Sequence, residues 1–173
     1  MSLLGLCLLL GFSAGQTEFP EPVTVWECSF QSPLAGAPVF FPSTENPEGV
    51  LTWLEDGRIV LIEGAGTIRW EKPIGEKGDA SPAVGDLNKD GMPEIVTATA
   101  SGIVVVLTAE GKELWRYPLG GDVRDWEAPC LADVDGDGSL EIIIGNMRGW
   151  VSCISGMGKL LWRFKADDQK ASS

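Results

Sequence analysis

The sequence contains no histidine and is poor in basic residues. The histidine count is 0 among 173 residues, which excludes Ser-His-Asp catalysis, Cys-His catalysis and histidine metal ligation from within this chain. Lysine and arginine number 13 against 25 aspartate and glutamate residues, for a net charge of −12. A nucleic-acid or anionic-membrane surface needs clustered basic side chains, so neither kind of partner is expected.

Cysteine is also scarce. The chain has 4 cysteines and no CxxC spacing, so a structural zinc site is not supported. Cys28, Cys130 and Cys153 follow the N-terminal segment, and their odd number leaves at least one of them unpaired. Cys130 and Cys153 fall on strands of one repeat that another strand separates. We therefore expect small buried side chains there rather than a disulfide.

No hydrophobic run is long enough to span a bilayer. The longest N-terminal run, Leu3–Phe12, ends in small residues and predicts a secretory signal peptide over residues 1–15, cleaved near Ser13–Gly15. The segment before the run has no lysine or arginine, and a buried strand is the alternative. The protein is expected to be secreted, periplasmic or at the cell surface, and not an integral membrane protein.

What the chain does contain is an internal repeat. Pro82–Tyr117 and Pro129–Phe164 superpose without a gap at an offset of 47, with thirteen identical positions. A third copy lies upstream at an offset of 45 and keeps Gly57, Gly66 and Trp70, but not the acidic loop of the other two. A period in the forties with regular turn signals is typical of β-propeller blades. The predicted fold class is all-β, with three four-stranded antiparallel blades.

Each unit reads as short strands joined by X-Gly turns. Two-residue turns are predicted at Ser101-Gly102 and Glu110-Gly111, and at the equivalent pairs of the last unit. The middle strands are apolar runs, which indicates burial on both faces. The predicted divisions are an extended lead-in over 16–32, a degenerate blade over 33–78, blades over 79–126 and 127–166, and a tail or the start of a fourth blade over 167–173.

An acidic loop occurs in the second and third units. It reads D-L-N-K-D-G-M-P-E and then D-V-D-G-D-G-S-L-E, and alternate side chains converge where the backbone curls. The predicted ligands are the side chains of Asp86, Asn88, Asp90 and Glu94 with the carbonyl of Met92, and the side chains of Asp133, Asp135, Asp137 and Glu141 with the carbonyl of Ser139. Hard oxygen donors in irregular geometry suit Ca²⁺ better than Mg²⁺. An unoccupied acidic turn is the alternative, because Asp, Asn and Gly favour such turns.

The two loops differ in charge. The second has four carboxylates, whereas the first has three and a neighbouring lysine, Lys89. The second loop is therefore expected to bind Ca²⁺ more tightly, and both sites are expected to be structural. No catalytic or organic-cofactor residue is predicted.

Tryptophans recur at one place in each unit. Trp70, Trp115 and Trp162 each lie four residues after the glycine of the same turn, and a large flat side chain there is expected to dock onto the neighbouring blade.

These motifs resemble two families. The pattern D-x-[DN]-x-D-G-x-x-E in Asp86–Glu94 and Asp133–Glu141 resembles the FG-GAP/VCBS-type repeats of secreted and cell-surface proteins. The G-K-x-L-W-R segments resemble the tryptophan-docking strands of PQQ-like propellers. The first resemblance implies an exported, calcium-stabilised module acting in binding, adhesion or scaffolding on a protein or carbohydrate ligand, without catalysis. The second implies the alternative, a fragment of a quinoprotein-dehydrogenase-type propeller enzyme.

The number of units leaves the architecture incomplete. Closed propellers have about four to eight blades, so three units predict further blades in the same or another chain, with a fragment of a longer protein the favoured interpretation. An insertion at Gly121–Glu127 lengthens the second period. Its residues Arg124, Asp125 and Trp126 line a binding surface in one interpretation and belong to an ordinary inter-blade loop in the other.

Overall fold

The computed structural model describes residues 23–42, 48–78, 80–123 and 128–165. The predicted signal peptide and tail lie outside these ranges. Within them the chain forms twelve β-strands and no helix. Accordingly, these ranges hold no helix with the length and apolar character needed to cross a membrane.

The strands form three four-stranded antiparallel sheets, and in each sheet they follow one another in sequence order. Blade 1 contains β1 (Val39–Phe41), β2 (Gly49–Trp53), β3 (Arg58–Glu63) and β4 (Ile68–Pro73). Blade 2 contains β5 (Ala83–Gly85), β6 (Glu94–Ala98), β7 (Ile103–Leu107) and β8 (Glu113–Pro118). Blade 3 contains β9 (Cys130–Ala132), β10 (Glu141–Gly145), β11 (Trp150–Ser155) and β12 (Leu160–Lys165). The predicted all-β fold with three four-stranded blades is confirmed.

The hairpin turns are longer than predicted. Between β6 and β7 the Thr99 N–H donates to the Ile103 carbonyl, and the Gly102 N–H donates to the Thr99 carbonyl. Three residues therefore form the loop, and Gly102 closes it with a positive φ of 80°. This is the three-residue hairpin that ends in a left-handed glycine. The prediction of two-residue turns was wrong because it assigned the residue before Ser101 to the strand.

Apolar side chains of adjacent blades interlock, and blade 2 is covered on both faces. On one face Ile95, Val105 and Leu107 pack with side chains of blade 1, and on the other Val96 and Val104 pack with side chains of blade 3. All five residues of β6 are buried. The predicted burial of the middle strands on both faces is confirmed.

The three described cysteines are free. Cys153 is buried in β11, as predicted, and β10 separates it from Cys130 in β9. Cys130 is exposed, so the prediction of a buried side chain was wrong there. The reason is that β9 is a three-residue strand at the edge of its sheet, where it pairs only with β10.

Candidate metal centre

The first acidic loop, Asp86–Glu94, joins β5 to β6, and the second acidic loop, Asp133–Glu141, joins β9 to β10. Both loops are held by the same five hydrogen bonds from backbone N–H groups to side-chain oxygens. In the first loop these run from Leu87 to Glu94, from Lys89 and Gly91 to Asp86, from Asp90 to Asn88, and from Met92 to Asp90. In the second they run from Val134 to Glu141, from Gly136 and Gly138 to Asp133, from Asp137 to Asp135, and from Ser139 to Asp137. The repeat is therefore preserved in side-chain geometry as well as in sequence.

Two positions in each loop have left-handed backbone. Gly91 and Gly138 have φ of 86° and 82°, at the bend that the sequence predicts. The fourth loop position is also left-handed, with φ of 63° at Lys89 and 80° at Gly136. Sequence reasoning missed this second bend, although Gly136 was its signal, because glycine adopts positive φ without steric cost.

In the second loop three carboxylates converge. Oxygen atoms of Asp133, Asp135 and Glu141 all lie within 4.8 Å of one another. Glu141 is 3% exposed, and its Oε2 accepts a 3.0 Å hydrogen bond from the Val134 N–H. Three negatively charged groups at this separation repel one another, and a cation among them would remove that repulsion.

Asp137 is not part of this three-carboxylate group. Its Oδ1 accepts a 2.6 Å hydrogen bond from the Ser139 N–H. That bond lowers the pKa of Asp137, and the nearby Lys89 ammonium lowers it further. Asp137 therefore stays ionised and remains available as a ligand, but the loop must adjust for it to join the other three.

The first loop has a side-chain hydrogen-bond donor, the amide of Asn88, at the position that Asp135 occupies in the second loop. The Asn88 side-chain amide donates to Asp90 Oδ2 at 2.9 Å and to Glu94 Oε1 at 3.2 Å. Glu94 is 3% exposed, and burial raises its pKa, with Asp90 and Asp86 adding to the shift. A cation can use the Asn88 oxygen only if the amide turns and gives up both bonds, which favours weaker binding in this loop.

Lys89 connects the two loops across the blade boundary. Its Nζ donates to the backbone carbonyl of Asp137 at 3.3 Å. The lysine therefore supplies positive charge to the second loop while it belongs to the first.

The donor set fits a hard divalent cation. Every side chain that the sequence predicts as a ligand offers a carboxylate or amide oxygen, and no described histidine or cysteine joins the group. Ca²⁺ accepts six to eight such oxygens in irregular geometry. The carbonyls of Met92 and Ser139 complete the predicted ligand set and stay a prediction.

The predicted tryptophan docking is present between consecutive blades. The Trp70 indole N–H donates to the Ala109 carbonyl at 2.9 Å, and that of Trp115 donates to the Gly156 carbonyl at 3.1 Å. Each ring lies on a left-handed glycine of the same turn. A Cβ at Gly111 would lie 3.1 Å from Trp70 Cδ2, and one at Gly158 would lie 2.9 Å from Trp115 Cδ2. Trp162 differs, because it is 45% exposed.

An arginine follows two of these tryptophans and reaches in the opposite direction. Arg116 Nη2 donates to the Ile74 carbonyl at 3.0 Å, and Arg163 Nη2 donates to the Leu119 carbonyl at 2.7 Å. In blade 2 the Trp115–Arg116 pair thus holds the blade to both neighbours, and Arg163 holds blade 3 to blade 2. Sequence reasoning missed the arginine, whose signal was its identity in the two intact repeats.

The insertion residues Arg124, Asp125 and Trp126 lie outside the described residues, so their predicted role is not addressed by the structure.

Family models and solved structures give the same architecture. Residues 86–144 match the model of the FG-GAP-like repeat, and residues 127–172 match that of the lambda-carrageenase beta-propeller domain. No curated protein sequence matches the chain. BamB from Moraxella catarrhalis superposes with a TM-score of 0.64 at 17% identity, covering 82% of this chain and 39% of BamB.

Two further solved structures are similar. BBS1N, in a complex with ARL6DN, gives a TM-score of 0.61 at 16% identity over 82% of this chain and 43% of its own. The dihydro-heme d1 dehydrogenase NirN gives 0.57 at 14% identity over 87% and 32%. This chain therefore spans less than half of the length of these structures. At such identities the likeness establishes the fold alone: the chain is a run of β-propeller blades, and within it residues 86–144 are similar to the FG-GAP-like repeat.

Proposed function

We propose that the chain is an exported β-propeller module that Ca²⁺ stabilises and that acts in binding, adhesion or scaffolding, without catalytic activity of its own. The observation that carries the proposal is the convergence of Asp133, Asp135 and Glu141 within 4.8 Å in a loop whose geometry repeats in the neighbouring blade. Two loops of one geometry at one place in a repeat favour a shared purpose over chance acidity.

The purpose of the ion in this proposal is structural. Each acidic loop joins the first two strands of its blade, and a buried glutamate, Glu94 or Glu141, anchors its end. Without a cation the carboxylates of the second loop repel one another, so the β9–β10 connection loses stability. With a cation the loop is fixed against β10, which lies in the blade core. Affinities in the range of extracellular modules, about 10⁻⁴–10⁻³ M or somewhat tighter, would suffice at extracellular Ca²⁺.

A protein or carbohydrate is the ligand class we propose. BBS1N, which resembles this chain, is in a complex with ARL6DN, which supports a protein ligand. The match of residues 127–172 to the lambda-carrageenase propeller domain makes carrageenan the first carbohydrate to test. An extracytoplasmic location, whether secreted, periplasmic or cell-surface, is part of the same proposal and is supported by the FG-GAP-like repeats.

A part of a quinoprotein-type enzyme is the second candidate. The tryptophan–glycine contacts between blades favour it, because they match the docking strands that the sequence resembles. Reconstitution with pyrroloquinoline quinone separates the two candidates: a bound-quinone spectrum or dehydrogenase activity would replace the scaffold function with the enzymatic one.

Isothermal titration with Ca²⁺ tests the metal sites. We expect two sites, with the second loop the tighter. Asp135→Asn gives the second loop the amide found at Asn88 and should weaken the tighter site, whereas Asn88→Asp should strengthen the weaker one. Asp56→Asn is the matched control, because Asp56 pairs with Arg58 in blade 1 away from both loops, and it should change neither affinity. No heat of binding in the unaltered protein would remove the proposal.

A further inference from the structure

Basic side chains gather around Trp150 at one end of blade 3. The guanidinium carbon of Arg163 lies 4.3 Å from the centre of the Trp150 ring, and Lys165 Nζ lies 5.7 Å from it. Arg148, in the turn before β11, borders the same blade connection as Arg163. A Cβ on Gly121 would lie 3.0 Å from Arg148 Cδ, and one on the preceding glycine would lie 3.9 Å from Arg163 Nη2. The basic cluster is defined here as Arg148, Trp150, Arg163 and Lys165.

The positive charge of the cluster is not neutralised. In the part of the chain that the structure describes, none of its three cations forms an ion pair with a carboxylate, whereas the described arginines of blades 1 and 2, which are Arg58, Arg69 and Arg116, all do. Trp150 attracts the two cations above its ring through the π-electrons and leaves their charge in place. Three positive charges are therefore held together on a chain whose net charge is −12.

The repeat shows that the fold does not require this cluster. The blade 2 residues at the positions of Arg148, Trp150 and Lys165 are Ser101, Ile103 and Pro118. The arginine itself recurs as Arg116, but there Glu113 pairs with it, and blade 3 has Leu160 at the position of Glu113. Blade 3 has therefore gained two cations and an aromatic ring and lost a carboxylate at one end, which a purely structural role does not explain.

The cluster lies on the face of blade 3 that is turned towards blade 2, at the end away from the second acidic loop. Trp150 shares a face of β11 with Ile154, and Ile154 packs with side chains of blade 2. Glu141, at the end of the acidic loop, pairs with Ser155. Ser155 is five residues along β11 from Trp150, or about 16 Å. That is about two Debye lengths at physiological ionic strength, so the acidic loop leaves the attraction of the cluster for an anion largely intact.

We propose that the basic cluster binds the sulfate esters of an acidic polysaccharide. This names the ligand class of the proposed function and rests on that function. A guanidinium group offers parallel N–H donors to two oxygens of one sulfate, and an ammonium group adds a point charge. A polysaccharide is favoured over other polyanions because residues 127–172, which match the lambda-carrageenase propeller domain, include the whole cluster. Carrageenan, the carbohydrate named above as the first to test, carries sulfate esters.

Isothermal titration with a lambda-carrageenan oligosaccharide tests the site, with the chemically desulfated oligosaccharide as the second probe. The unaltered chain should bind only the sulfated probe. Arg148→Gln and Lys165→Gln should each weaken binding about threefold to fivefold, as the loss of an exposed ion pair does, and the double variant should weaken it about tenfold or more. Lys159→Gln removes the same charge from the other end of blade 3 and should leave the affinity unchanged. Arg163 is kept in every variant because it also joins the blades.

Titrations in EGTA and in Ca²⁺ separate this site from the metal sites. Sulfate-dependent binding in EGTA supports the basic cluster even if no Ca²⁺ binds, whereas a protein that binds Ca²⁺ but not the sulfated probe overturns the cluster alone. Equal affinity for the desulfated probe would overturn the proposal, as would full affinity in a double variant whose thermal unfolding shows that it is folded. Polyglutamate or single-stranded DNA of the same charge, bound as tightly as the oligosaccharide, would overturn the assignment to a polysaccharide.

Discussion

Trp115→Ala is the sharpest test of how the blades are held together. The Trp115 ring lies on Gly158 of the next blade, and its indole N–H donates to the Gly156 carbonyl at 3.1 Å. A tryptophan buries roughly 150–250 Å². If the inter-blade contact accounts for about 100 Å² of that area, its loss costs about 2.5 kcal/mol at 25 cal/mol per Å². The lost hydrogen bond adds about 1 kcal/mol.

We therefore expect Trp115→Ala to lower the free energy of unfolding by about 3.5 kcal/mol, which is a decrease in Tm of about 7–14 °C for a chain of this size. Trp162→Ala is the matched control, because Trp162 occupies the same place in blade 3, is 45% exposed and donates no indole hydrogen bond within the described ranges. It should cost about 1 kcal/mol or less. Urea unfolding by circular dichroism, at concentrations where the chain is monomeric, measures both. Equal losses for the two variants would refute the claim that Trp115 stabilises the protein through its contact with the next blade rather than through contacts within its own blade.

Three other predictions concern single positions. Gly102→Ala should lower the free energy of unfolding by about 3 kcal/mol or more, because the φ of Gly102 is 80° and a Cβ would lie 1.8 Å from the Gly121 carbonyl oxygen. Gly91→Ala should lower it by only about 1–2 kcal/mol, from the strained backbone alone, because Gly91 has φ of 86° but a Cβ there would have nothing within 4 Å. Equal costs in urea titrations would contradict the packing argument. Arg163→Met should cost about 1–2 kcal/mol in the same assay, because the bond to the preceding blade's carbonyl is lost; an unchanged midpoint would show that the arginine does not join the blades. In EGTA, protonation of Glu94 favours the native state, because burial raises the pKa of this carboxyl in the folded protein. This contribution to the free energy of unfolding is complete below the ordinary glutamate pKa. It is lost as the pH rises through the raised pKa of the folded protein. The stability of the unaltered protein should thus fall relative to Glu94→Gln between mildly acidic and neutral pH, and parallel pH profiles would contradict the assigned burial.

The repeat made most of the fold predictable. Each of the three units has a glycine and a tryptophan at matching spacings, so blade number, strand order and the burial of β6 followed from the sequence. What did not follow were details that depend on backbone hydrogen bonds. The loop at Gly102 has three residues rather than two because the Thr99 carbonyl accepts from the glycine N–H, and an X-Gly pair alone does not indicate which residue starts the turn.

The residue types of the site and the charge difference between its two loops were predictable, but the side-chain hydrogen bonds that distinguish the loops were not. Alternate acidic positions indicated both loops, yet the sequence treats Asn88 and Asp135 as equivalent oxygen donors. In the structure the Asn88 amide nitrogen donates to Asp90 and Glu94, whereas Asp135 joins a group of carboxylates that contains no side-chain donor. The hydrogen bond from Lys89 to the second loop could not be predicted from the sequence either, because it joins residues 48 positions apart.

The contacts between blades show the same limit. The position of Trp115 predicted docking, but the glycine beneath it and the carbonyl that it bonds belong to the next repeat. Arg163 reaches back 44 residues to the preceding blade. A sequence repeat identifies equivalent positions, and only the packed blades show which of them touch.

Thermal unfolding with and without Ca²⁺ tests the central claim most directly. A ligand at about a hundred times its Kd stabilises the native state by about 2.7 kcal/mol, which is a rise in Tm of roughly 5–11 °C for a chain of this size. We predict such a rise in saturating Ca²⁺ relative to EGTA, a smaller one in Mg²⁺, and a reduced one for Asp135→Asn. An identical Tm in Ca²⁺ and EGTA would contradict the account, because the converging carboxylates of Asp133, Asp135 and Glu141 would then be an acidic turn that no cation stabilises.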